Sequence, residues 1–248
     1  MNLWVYSIVS VVIVSMLSLM GVFALIIQGD RLQRITLFLV SFAVGGLLGD
    51  AFIHLIPESF AHLASKLSAS LYVLTGILGF FVLEKYVLWR HFHVHVEDRA
   101  VKSVVPMILL GDAVHNFIDG AVIGASYIVS IPLGVTTTLA VVLHELPHEI
   151  GDFGVLVHGG LPVKQALLLN FLTALTAIVG TVVSLLVGPY MQGYAAAIVP
   201  VTAGGFIYIA GADLIPELQD ELSPWRSLLQ LLLILCGVAI MLLLLLMG

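Results

Sequence analysis

The stretch HELPHEIGD, residues 144–152, sets two histidines and three acids (Glu145, Glu149 and Asp152) within nine residues of a strongly apolar segment. An ionised carboxylate inside a bilayer is costly unless it faces a cavity, a partner or an ion. At about 100° per helical residue, positions 144, 145, 148, 149 and 152 fall within a stripe roughly 140° wide. One face of one helix therefore carries the chemistry of a metal site inside a membrane.

A second polar face lies upstream in GDAVHNFIDG, residues 111–120, where Asp112, His115, Asn116 and Asp119 share a stripe of about 100°. Two such faces on consecutive spans can oppose each other. Neutral imidazole and carboxylate oxygen together suit a divalent ion: zinc, and equally iron, manganese, cobalt or cadmium. The sole cysteine, Cys236, sits in the Leu-rich final segment, which argues against a Cu(I) site or a disulfide framework.

With 60% hydrophobic and 10% charged residues and a mean hydropathy of +1.15, the chain is mostly bilayer. It is expected to be an all-α polytopic membrane protein, a single transmembrane domain over residues 1–248. Eight spans are expected near 4–28, 36–57, 70–90, 104–128, 133–158, 164–187, 196–217 and 226–247, each long enough to cross. The first is read as a true span and not as a cleavable leader. Of the nine basic residues, Arg31, Arg34, Lys85, Arg90, Arg99, Lys102, Lys164 and Arg226 fall on one side and Lys66 on the other. The positive-inside rule then puts both termini outside the cytoplasm, with the plasma (inner) membrane as the expected location. Acids concentrated in spans describe a pathway, and nothing in their placement suggests nucleic acid.

The second span ends FIHLIPE (Phe52 to Glu58) and the seventh GADLIPE (Gly211 to Glu217), with His54 and Asp213 in equivalent places. A 3+2+3 arrangement makes spans one to three and six to eight inverted copies, as in inverted-repeat transporters. Asp50, His54 and Glu58 recur every four residues on one face, as do Asp213 and Glu217, and are read as pathway residues together with Asp112 and Asp152. Single histidines such as His62 and His158 are read as interfacial. Pro147 removes a donor and frees the Leu143 carbonyl beside the ligands. The Gly120 and Gly124 pair permits close helix approach. His91, His93 and His95 alternate in a cytoplasmic loop over 91–103, where three imidazoles pointing one way would form a weak metal-accepting site.

HNFIDG and HELPHEIGD, in this order, resemble the paired signatures of the ZIP (zinc-regulated, iron-regulated transporter-like) metal transporters, in particular the subgroup marked HExPHExGD. GDAFIHLIPE and AGADLIPEL are similar to that subgroup too, so the resemblance covers nearly the whole chain. It implies a homodimeric, eight-helix carrier with extracytoplasmic termini. A two-metal centre between the fourth and fifth helices would move the ion toward the cytoplasm by an elevator-like alternating access. By position, the first metal would sit among His115, Asp119, His144 and His148, and the second among Asn116, Asp119 and Glu145, with Glu149 as a further candidate and Asp119 bridging. Some relatives add a carboxylate from the sixth span; here that span has no acid, and Asn170 is its polar candidate.

HELPH is also literally HExxH, the zinc-protease helix motif, which makes an intramembrane metalloprotease the competing reading. A proline within the motif, and more ligands than one catalytic zinc with an open position needs, weigh against an enzyme.

Overall fold

The computed structural model describes residues 3–22, 30–63, 65–92, 100–158, 160–191, 193–219 and 223–247. Among them there are helices and no strand: α1 (Leu3–Met16), continued by a 3-10 segment Leu17–Val22; α2 (Asp30–Gly49), a π-helical segment Asp50–Leu55 and α3 (Ile56–His62); α4 (Lys66–Phe92); α5 (Ala100–Val129); α6 (Ile131–His158); α7 (Val163–Ala174); α8 (Thr176–Val187); α9 (Tyr194–Tyr208), a second π-helical segment Ile209–Leu214 and α10 (Ile215–Gln219); and α11 (Pro224–Met247). Six stretches, Leu3–Val22, Ile35–Ala61, Lys66–Leu83, Val163–Tyr190, Ala196–Gln219 and Pro224–Leu246, are long and apolar enough to cross a bilayer. The two longest helices, α5 and α6, are not in that set. They are the helices whose acids and imidazoles dilute the apolar surface, as expected of elements that line a polar route.

Several boundaries differ from the expectation. The sixth span is two helices meeting at Leu175, where Thr176 Oγ1 donates at 2.6 Å to the Thr173 carbonyl and to Ala113 of α5. The loop expected over 91–103 is shortened from both sides, since α4 runs to Phe92 and α5 begins at Ala100. His91 is therefore on a helix end, while His93 and His95 lie outside the described residues.

The two π-helical segments occupy matching places in the repeated strings, each followed one residue into the next helix by a proline, Pro57 or Pro216. A proline has no N–H for the carbonyl four residues back, and widening the preceding turn re-registers the freed groups. The packing matches as well. A Cβ on Gly45 of α2 would run into the Ile234 carbonyl of α11, and one on Gly237 would come 2.8 Å from Gly46 N. A Cβ on Gly76 of α4 would run into the Val201 carbonyl of α9, and one on Gly204 would come 2.9 Å from Ile77 N. Two backbone-to-backbone crossings of the small-residue kind result.

Helix contacts fall into two groups: α2, α4, α9 and α11 pack together, and α1 packs with α5, α6, α7 and α8. In the second group Gly120 lies against Ala177 and Gly180 against the Phe117 carbonyl, Thr181 Oγ1 donates to Gly120 O at 2.7 Å, and Ser15 Oγ donates to Ala174 O at 2.9 Å. Gly124 meets Ser184 and Thr181 of α8, so both glycines of the expected pair make close approaches. The groups meet where α6 and α5 face α2 and α9, around Val44, Leu47, Ile123, Val141 and Phe206, all buried.

Candidate metal centre

Only Ser130 separates α5 from α6, so the helices form an antiparallel hairpin. Its tight end is closed by Gly134, where any side chain would collide with the Tyr127 ring. Halfway down, the two polar stripes meet. One donor atom from each of His115, Asp119, His144 and Glu145 lies within 4.8 Å of the other three. His115 Nε2 is 3.2 Å from His144 Nε2 and 3.2 Å from Glu145 Oε1. His144 Nε2 is 3.1 Å from Asp119 Oδ2 and 3.5 Å from Glu145 Oε1, and the His115–Asp119 separation is 3.7 Å. A tetrahedral zinc with bonds near ~2.05 Å has donor–donor edges of ~3.3 Å. Five edges of the cluster bracket that length.

The local chemistry prepares these atoms for a cation. His144 Nδ1 is 3.1 Å from the Ala140 carbonyl, one turn back. A carbonyl only accepts, so the proton resides on Nδ1 and the Nε2 lone pair points into the cluster. Asp119 Oδ2 and both Glu145 oxygens are buried with no hydrogen-bond donor. Two carboxylates set together away from water without donors need a positive charge among them. Phe206, which the sequence did not single out, lies edge-on to the His144 ring at 5.9 Å between centroids and walls the cluster on the α9 side; one of three aromatics in an apolar helix, it carries no signal by which it could have been found.

The remaining expected ligands are placed differently. His148 stacks on His115, with rings 5.0 Å apart and 9° from parallel, while its Nδ1 faces Asp152 Oδ2 at 3.5 Å. Asp112, His148 and Asp152 form a second group with donor atoms within 4.8 Å of one another. The Asn116 amide donates to Asp112 Oδ1 at 2.7 Å and to the Asp112 carbonyl at 3.2 Å, and Asn116 Oδ1 has no donor. Glu149 turns the other way and accepts from Asn170 Nδ2 of α7, which also donates to the Ser18 carbonyl at 3.4 Å. The single stripe on residues 144–152 thus serves three partners.

Asp50 and His54 lie apart from these groups, in the first π-helical segment, buried and 3.3 Å from each other. Glu58, one turn on, borders a cavity of about 340 Å³ with Ser59, Val129, Gly188 and Tyr194. Asp213 and Glu217 stand in and after the second π-helical segment and are exposed.

The chain is similar in sequence to known proteins. The family model described as ZIP Zinc transporter matches residues 1–104 and 90–245. The chain is similar to the zinc transporter ZIP13 of Pongo abelii, 38% identical over 83% of this chain and 65% of that protein. It is also similar to the zinc transporters SLC39A7 of Mus musculus and of Homo sapiens, each 34% identical over 98% of this chain and 70% or 71% of the relative. The chain thus spans about two thirds of the length of these relatives. On the family model and these relatives, together with the polar hairpin at its centre, this chain belongs to the ZIP zinc transporter family.

Proposed function

We propose that the protein carries a divalent transition metal, zinc first among the candidates, across the membrane, and that His115, Asp119, His144 and Glu145 hold the ion in transit. The observation that carries this reading is the set of donor–donor separations, 3.1 to 3.7 Å, around buried and donorless carboxylates. The relatives are named as zinc transporters, and two imidazoles with two carboxylates suit zinc, with iron, manganese, cobalt and cadmium as alternatives set by availability. A second ion beside the first would draw on Asp119 as bridge, on Glu145, and on Asn116 Oδ1 and Glu149 Oε1, both without a donor.

Movement toward the cytoplasm is the direction that the family resemblance implies, while the charge bias of the loops bears on orientation. With both termini outside, Asp50, His54 and Glu58 lie on the entry half of the route and Asp112, Asp152, Asp213 and Glu217 on the exit half. Eight spans in an inverted 3+2+3 arrangement account for the paired π-helical segments and the paired glycine crossings. The group α1, α5–α8 would then slide as a carrier against α2, α4, α9 and α11, in a plasma (inner) membrane homodimer, with the residue 91–95 histidines as a weak acceptor at the exit. Members of this family are transporters, and the chain is not an enzyme; four protein donors around one ion also leave no open position for the water a zinc protease needs.

Calorimetric titration of the purified protein with Zn2+ tests the centre. His144→Ala and Asp119→Ala should each raise the apparent Kd by at least ~10-fold and abolish uptake into proteoliposomes at equal protein abundance. Unchanged uptake in both variants would refute this site.

A further inference from the structure

The first π-helical segment packs against α6 where the two helix groups meet, and the contact there is polar. Asp50 and His54 stand on the segment, and Thr136 and Thr137 of α6 turn their hydroxyls toward the Asp50 carboxylate. Asp50 and Thr137 are fully buried, Thr136 and His54 nearly so. Hydrogen bonding leaves this contact unfinished. His54 Nδ1 approaches Asp50 Oδ1 only to 3.3 Å. Among the described residues, neither carboxylate oxygen, neither imidazole nitrogen nor Thr137 Oγ1 has a hydrogen bond of good geometry. Thr136 Oγ1 donates its proton to the Leu133 carbonyl at 3.0 Å, so it turns a lone pair toward Asp50. Acceptor thus faces acceptor in the interior, an arrangement that calls for a positive charge between them.

We propose that Asp50, Thr136 and Thr137 bind a monovalent cation, Na+, in the seam between the two helix groups. Charge decides the valence. The first cluster sets two carboxylates together and matches a divalent ion, whereas here a single carboxylate is joined by neutral hydroxyls, and a divalent ion would leave a net charge buried. The donor type decides the ion, since carboxylate and hydroxyl oxygens suit a hard cation. A neutral His54 orients Asp50 through Oδ1 and adds no charge. The ligands come from both groups, so the site exists only while Thr136 and Thr137 lie opposite Asp50. At the other end of α6 the His148 side chain is 38% exposed, while this end is shut. Bound Na+ therefore favours the state closed on the side of Asp50. That consequence rests on the proposed sliding of the groups; the binding itself does not.

Thermal unfolding of the detergent-solubilised full chain, at constant ionic strength and without zinc, reads the site. Replacing choline by Na+ at roughly ten times its Kd should raise the midpoint by about 3 °C. Asp50→Asn and Thr137→Val should each abolish the difference, and Thr137→Ser, which keeps the oxygen, should retain it. Radioactive Na+ in a scintillation proximity assay should bind the unsubstituted chain and not Asp50→Asn. Thr137→Val should leave the Zn2+ Kd within about twofold, as expected of a distant site in a folded variant. Equal midpoints in Na+ and choline for the unsubstituted chain, with no Na+ bound, overturn the assignment, as does Na+ stabilisation that survives in both variants. A Zn2+ equivalent lost in both Asp50→Asn and His54→Ala, with no effect of Na+, also overturns it and makes the cluster a stop for the transported metal. The two readings fail separately: unchanged uptake in His144→Ala would leave the Na+ result standing, and absence of Na+ binding would leave the first cluster intact.

Discussion

At the residue scale, the chemistry depends on which lone pairs are free. His144 offers Nε2 because Nδ1–H is occupied by Ala140 O, and protons compete with metal for that atom. Metal affinity should therefore be lower at pH 5.5 than at pH 7.5, with protons released on binding. Titration at pH 5.5 and 7.5 in buffers of different ionisation heat checks this; equal affinity and no proton release would mean that carboxylates alone hold the ion. Glu145→Gln keeps the shape and removes the charge, so binding should weaken at least ~10-fold without unfolding. The polar faces were legible in the sequence, because a carboxylate in an apolar segment is kept only where a cavity, a partner or an ion offsets its cost. Not legible was the division of the nine-residue stripe, with 144 and 145 facing His115 and Asp119, 148 and 152 facing Asp112, and 149 facing Asn170. Helical spacing fixes which residues share a face, but which of them meets which partner depends on where neighbouring helices cross.

At the scale of elements, glycine decides the fit. Gly45, Gly76, Gly204 and Gly237 stand where another backbone occupies the space of a side chain. In a bilayer such close packing replaces the hydrophobic driving force that lipid cannot supply. Gly204→Ala should destabilise the protein by about 1–3 kcal/mol through overpacking, seen as a lower midpoint in detergent thermal unfolding. Gly79→Ala, on the same helix as Gly76 but with nothing within 4 Å of its Cβ, should leave the midpoint unchanged. The repeated LIPE strings hinted at matched segments, and the proline in each explains the π-helical turns. The glycine pairing was not legible, since the contacting residues are more than a hundred positions apart and each is unremarkable on its own helix.

For the whole molecule, the proposed carrier movement would follow the division into two packed groups. The first cluster belongs wholly to the α5–α6 hairpin, yet it is walled by Phe206 of α9, and Leu143 of α6 sits within 2.6 Å of where a Cβ on Gly46 of α2 would be. Displacing the hairpin's group would uncover one end of the cluster and cover the other. With Cys236 replaced by serine, single cysteines at Val135 and Val155, near opposite ends of α6, should change reactivity toward impermeant thiol reagents in opposite senses when Zn2+ is added. Unchanged labelling at both positions in a variant that still transports would favour a fixed pore.

The glycine crossings also bear on how the chain is made. Each joins an early helix to a late one, α2 to α11 and α4 to α9. During synthesis, the grooves at Gly45 and Gly76 must therefore stand open in the lipid until residues 201–237 have been inserted. The early helices wait as separate spans, and the final architecture closes late. Translation and helix assembly are thus coupled in time, and a chain stopped before α11 would present the Gly45 groove to the membrane, and to quality control, as an unfilled seam.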